Sequence, residues 1–108
     1  MALGILGWDL PPAENMDAYV EVTKKGIAQV LKHPGVKEFR SYRNPLKVTP
    51  QVITHTEFES MASWLAFIQS QAYADIVAGL ESVGCTNFFA EVWEASPLVP
   101  EPLKPPSG

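Results

Sequence analysis

The residues of this chain with nameable chemistry are few: two histidines, one cysteine, and polar groups alternating along short apolar runs. His55 stands in QVITHTEFE, where alternation puts it on one strand face with Ile53 and Glu57. A neutral imidazole there can accept a proton near pH 7, with Glu57 orienting it or raising its basicity. The competing reading is a strand histidine satisfied at a surface or subunit seam. Arg40 and Tyr42 alternate onto one side of VKEFRSYR, where the guanidinium can hold an anionic oxygen and the phenol can orient it or donate a proton. A salt bridge and a packed ring at a strand edge are the alternative for this pair.

Ring-bearing residues supply candidate walls. Trp64, Phe67 and Tyr73 fall on or beside one helical segment and can line an aromatic cavity, with core packing the competing role for Trp64. Phe89 and Trp93, in TNFFAEVWEAS, alternate onto one face and are grouped with Trp8 as a binding surface or sheet interface; Phe88 faces the other way. Glu91 shares the side of Phe89 and Trp93. There it is either a buried proton acceptor, whose desolvation needs compensation, or a solvated edge residue. His33 precedes Pro34-Gly35 and can face a helix C-terminus; as a haem ligand it is the less favoured alternative. Cys85 is alone, so it forms no internal disulfide and no CxxC pair, and a buried structural thiol is expected. The chain has no HExxH or Cys/His cluster, phosphate loop, dinucleotide fingerprint or GxSxG elbow, so no metal, nucleotide or serine-hydrolase site is predicted.

The elements that must position these groups follow from periodicity and punctuation. Leu3 to Leu10 reads as a strand stopped by Pro11-Pro12. Asn15 or Asp17 starts a helix with Tyr19, Thr23, Ile27, Val30 and Leu31 on its inner stripe, and His33-Pro34-Gly35 ends it. Val36 to Arg43 and Gln51 to Glu59 form the next two strands. Ser60 caps a second helix, whose apolar face is Met61, Trp64, Leu65 and Ile68. Its pattern breaks at Gln69-Ser70-Gln71, which implies two segments or a bend, and Gly84 terminates it. Thr86 to Ala95 supplies a fourth strand. Two strand-helix-strand units in this order predict an α+β, ferredoxin-like domain: a four-stranded antiparallel sheet with two helices, spanning residues 1–96. Residues 97–108 form a tail with five of the chain's ten prolines.

At 108 residues the chain fits one small domain, and sheet burial against a partner is an attractive source of added stability. Its net charge is −4, from 12 acidic and 8 basic residues, with no basic stripe for a nucleic-acid backbone. Lys24-Lys25 reads as a solvated helix face. No apolar run reaches the roughly 18 residues needed to span a membrane, and no basic region precedes a signal-like core, so a cytoplasmic location is the expectation.

The run TEFESMASWLAFIQSQAYADIVAGLESVG followed by FFAEVWEASP resembles the dimeric α/β-barrel superfamily, particularly antibiotic-biosynthesis-monooxygenase and stress-responsive barrel domains. The resemblance implies a homodimer joined through the open sheet face as a dimeric α/β barrel, with a cavity between sheet and helices in each subunit. It further implies a cofactor-independent monooxygenase acting on an aromatic or quinol-like small molecule. In that account His55 or a cavity acid accepts a proton, Arg40 or Tyr42 stabilises the developing oxyanion, and the aromatic walls exclude water. The substrate performs most of the redox work, so no cofactor is predicted. A noncatalytic small-molecule-binding or stress-related dimer is the alternative, and a haem-binding protein a lesser one.

Overall fold

The structure, a computed structural model, describes residues 1–106. Its first strand, β1, covers Ala2–Asp9 and stops before the two prolines, which have no amide to donate to a ladder. A single 3-10 turn, Ala13–Asn15, leads into α1, Met16–Lys32. Asn15 occupies the N-cap position, but its side chain does not cap the helix. Its Nδ2 donates to the Val83 carbonyl at 2.8 Å, tying residues far apart in sequence.

β2, Val36–Arg43, has the bounds expected of it, and β3 covers Val52–Phe58. The second helical stretch is two helices, α2 over Met61–Ile68 and α3 over Gln71–Ser82. Each starts on its own serine: Ser60 Oγ accepts from the Ser63 amide at 3.1 Å and Ser70 Oγ from the Tyr73 amide at 3.2 Å. Gln69-Ser70-Gln71 is therefore a restart. Gly84, at φ +101°, ends α3, and the Cys85 amide reaches back to the Leu80 carbonyl. β4 then covers Thr86–Glu94, and beyond it the described residues form no strand or helix.

The strands lie in the order β2-β3-β1-β4 with every neighbouring pair antiparallel, which is the ferredoxin-like α+β arrangement. The helices cover one sheet face. That face carries Ala2, Gly4, Leu6 and Trp8 from β1 and Val52, Thr54, Thr56 and Phe58 from β3; Phe58, 1% exposed, is the most completely buried large side chain. The other face is open in the single chain. Two helical stripes differ from expectation. On α1, Leu31 is exposed and Gly26 takes an inward place beside Tyr19 and Val30. On α2, Met61 and Leu65 point outward, while Trp64, Phe67 and Ile68 meet the core, because this eight-residue helix touches the sheet along one i, i+3, i+4 row.

At one end of the sheet Asp9 gathers three donors. Its Oδ2 accepts from Asn87 Nδ2 at 2.7 Å and from Thr49 Oγ1 at 2.8 Å, and its Oδ1 accepts from the Gln51 amide at 3.1 Å. The Asn87 amide, with Thr49 and Gln51 behind it, holds this carboxyl below its usual range against the opposing pull of burial. Among the described residues no helix is long and apolar enough to cross a membrane.

Candidate functional site

Between the covered sheet face and the helices lies a cavity of about 70 Å³. That is several times the roughly 10–15 Å³ that one water needs. Its walls are rings and aliphatic groups: Trp8, Phe39 and Phe58 from the sheet, Tyr19 and Val30 from α1, Trp64 and Phe67 from α2, Tyr73 and Ile76 from α3. Gly4 makes room for this arrangement. A Cβ built there would lie 3.0 Å from both the Phe58 and Trp64 rings, so glycine lets Trp64 rest against β1.

The cavity is apolar with a small set of neutral polar groups. Trp8 Nε1 donates to Tyr19 Oη at 3.1 Å, which leaves the phenol's own hydrogen available. Thr54 Oγ1 donates to the Leu6 carbonyl at 3.0 Å. Thr23 Oγ1, one helical turn from Tyr19, lies near enough to the phenol to lower its pKa as a hydrogen-bonding neighbour, yet it is buried and its contact falls short of good hydrogen-bond geometry. Burial raises the Tyr19 pKa; the Trp8 bond and the Arg43 charge pull the other way. Burial likewise raises the Tyr73 pKa. Both phenols are therefore protonated donors at neutral pH. No Asp, Glu, His, Lys, Arg or Cys is among the residues lining this cavity.

A second, more open pocket adjoins the first at the end of β2. It is bordered by Leu10, Tyr42, Arg43 and Val52, and it shares Tyr19 and Ser41 with the inner cavity.

The residues singled out from sequence divide between the two sheet faces. Trp64, Phe67 and Tyr73 come together on the cavity, with the Phe67 and Tyr73 rings 5.4 Å apart. His55, Arg40 and Tyr42 also come together, but on the open face. Arg40 sits opposite His55 in the ladder, and the Tyr42 and His55 rings are 4.9 Å apart. Arg40 Nε lies 3.4 Å from Glu38 Oε1, an exposed ion pair. Phe89 and Trp93 share this open face, Phe89 with its ring over Gly7, where any Cβ would collide with it, and Trp93 opposite Leu3 and 55% exposed. Trp8 does not join them. Because Gly7 is the residue opposite Phe89, Trp8 falls one step on and faces the helices, 6.4 Å from the Phe88 ring.

Neither histidine lines the cavity; His33 Nδ1 lies 3.0 Å from the Pro34 carbonyl, with its ring edge-on to Phe67. Among the described residues no three His, Cys, Asp or Glu side chains cluster as metal ligands. Cys85 is buried as expected, with its thiol pushed up to about 11 by burial.

Sequence reasoning assigned Tyr19 and Thr23 to packing and Trp8 to the wrong face. The signal available was two hydroxyls four residues apart on an otherwise apolar helical stripe, which brings polar atoms into the core.

A model of the family described as antibiotic biosynthesis monooxygenase matches residues 10–79. The fold is similar to that of SnoaB, a cofactor-independent oxygenase from Streptomyces nogalater, at TM-score 0.65 and 12% identity, covering 93% of this chain and 95% of that one. It is also similar to a dimeric ferredoxin-like protein of unknown function from Jannaschia sp. CCS1, at TM-score 0.68 and 16% identity over 87% and 98% of the two chains. A conserved protein from Methanosarcina mazei Go1 aligns at TM-score 0.67 and 17% identity, over 86% and 91%. A search of curated proteins found no match.

Proposed function

From the premise that this chain belongs to the antibiotic biosynthesis monooxygenase family, we propose that it is a cofactor-independent monooxygenase whose substrate is an electron-rich, quinol-like aromatic held in the cavity between sheet and helices. The observation that carries this reading is the cavity wall itself: flat rings on several sides, and neutral donors in place of ionised groups. Such a wall suits an aromatic body with a ring oxygen, because N–H and O–H groups stabilise negative charge on that oxygen without neutralising it. Tyr19 Oη, Tyr73 Oη and the indole N–H of Trp64 are the donors assigned to this task.

The reaction balances with the substrate as sole reductant. A quinol bearing a ring hydrogen reacts with dioxygen; one oxygen atom enters at carbon as a hydroxyl, the other leaves as water, and the quinol becomes a quinone. The substrate proton is released to solvent or to a second substrate oxygen, since the cavity wall holds no carboxylate or imidazole to receive it. In this reading His55, Arg40 and Tyr42 do not touch the reacting ring. They belong to the open face, where two copies of the chain pack sheet to sheet as a homodimer. The dimeric Jannaschia relative and the exposed Trp93 support that assembly.

One observation favours a second reading. A cavity without an acid or base also suits binding without turnover, as in a small-molecule carrier. Oxygen uptake with 1,4-dihydroxynaphthalene, corrected for autoxidation, separates the two. The monooxygenase reading expects protein-dependent uptake with hydroxylated quinone as product, falling about tenfold or more in Trp64→Phe and Tyr73→Phe. Uptake equal to that of buffer overturns it.

A further inference from the structure

We propose that the natural ligand of the cavity is amphipathic, a flat apolar ring system bearing a carboxylate at one end, and that Arg43 selects it by binding that carboxylate in the outer pocket. The proposal rests on the reading that the inner cavity is the ligand site. It adds the class of molecule and the residue that discriminates.

Among the described residues no charged side chain lines the inner cavity, and Arg43 is the only one bordering either space. It closes β2 opposite Val52, which is buried on the covered face, so the Arg43 side chain leaves the sheet on the cavity side. Tyr19 and Ser41 border both spaces and mark the junction between them. The Arg43 charge is felt at the Tyr19 phenol.

Among the described residues Arg43 forms no ion pair and no side-chain hydrogen bond, whereas Arg40, three residues earlier, is paired with Glu38. Acids are not scarce in a chain with 12 of them against 8 bases. A guanidinium kept free of them beside an apolar cavity offers a planar fork whose natural counterpart is a carboxylate. Two further polar atoms point to the rest of the ligand. The Tyr19 hydroxyl accepts from Trp8, and the neighbouring buried Thr23 hydroxyl, which acts on that phenol, completes no hydrogen bond of good geometry. A ring with its own oxygen supplies an acceptor for one and a partner for the other, while its anionic end passes Tyr19 and Ser41 to reach Arg43.

The test compares two probes of the same shape, 2-naphthoate and 2-naphthol, by isothermal titration calorimetry at low ionic strength, since Arg43 is solvent-exposed and salt screens it. The proteins are the full chain, Arg43→Gln and Arg40→Gln, the last removing the same charge from the opposite sheet face. The expected result is that Arg43→Gln weakens naphthoate about tenfold and leaves naphthol within about twofold, while Arg40→Gln changes neither. Equal loss of naphthoate binding in both variants overturns the proposal, because it reports overall charge. Unchanged naphthoate binding in Arg43→Gln overturns it as well and leaves an ordinary solvated arginine at a strand end. Naphthol binding in those cases leaves the cavity reading standing. Failure of naphthoate alone to bind the full chain overturns the role of Arg43, and failure of both probes overturns the cavity reading and the role of Arg43 with it.

Discussion

The two faces of one sheet, built from the same four strands, carry opposite chemistry. The helix-covered face has aromatic rings, threonine hydroxyls and neither a carboxylate nor an imidazole around its cavity. The open face has His55, Arg40, Glu38, Glu57 and Glu91 interspersed with Ile53, Phe89 and Trp93. Strand alternation makes this partition possible, because each residue step changes face. An acid-base group attracts attention through its chemistry, yet here such groups lie on the face that the cavity does not touch. What surrounds the cavity is a set of donors whose charge never changes near neutral pH.

The largest effect expected from breaking this comparison is at Phe58, the side chain sealed deepest on the covered face. Phe58→Ala should cost about 3–5 kcal/mol in urea denaturation, at any protein concentration. The matching change on the open face, Trp93→Ala, should instead cost an amount that grows with protein concentration, because that ring acts through association. Light scattering should show the dimer weakened, and an unchanged dimer would remove Trp93 from the interface.

Next comes a gain. Thr23→Val removes an unpaired buried hydroxyl while keeping the shape, and should stabilise the domain by about 1 kcal/mol. A loss of stability in thermal unfolding would show that Thr23 is already satisfied.

The pH dependence sharpens the contrast at the sheet's end. Asp9 has a depressed folded pKa, so its contribution is fully present above the unfolded value and disappears as pH falls through the folded one. Melting temperature should therefore fall in acid below the ordinary aspartate range. Asp9→Asn should flatten that part of the profile, and an unchanged profile would place the acid sensitivity elsewhere.

The smallest effect is expected at His55. His55→Ala should leave 2-naphthol affinity within about twofold, because the imidazole is separated from the cavity by the sheet. A tenfold loss would collapse the distinction between the two faces.

Much of this fold was legible in the chain. Pro11-Pro12, His33-Pro34-Gly35 and Gly84 stop elements for local reasons, and local reasons survive folding. The cavity residues Trp64, Phe67 and Tyr73 were also legible, since rings near one helix have few places to go. The pairing of faces was not. Alternation in β3 sorts Val52, Thr54, Thr56 and Phe58 from Ile53, His55 and Glu57, but it does not say which set meets the helices. That depends on register with β1, where Ala2, Gly4 and Leu6 are too varied to declare a side. Trp8 was misassigned for the same reason: one residue of register against Phe89 decides its face. Arg43 went unnoticed because only the meeting of β2 with α1 brings it beside Tyr19.

The Asp9 cluster has a consequence for the order in which the chain assembles. Its partners lie 40, 42 and 78 residues away, so the carboxylate can be satisfied only after the β2-β3 connection and β4 have both arrived. Contacts that close such long loops pay their entropy late and reward it last. Asp9→Asn should accordingly accelerate unfolding while leaving the refolding rate nearly unchanged in stopped-flow measurements. A slowed refolding limb would mean instead that this corner forms with the nucleus. On the first outcome, the carboxylate acts as a latch that closes once the outermost strand is home.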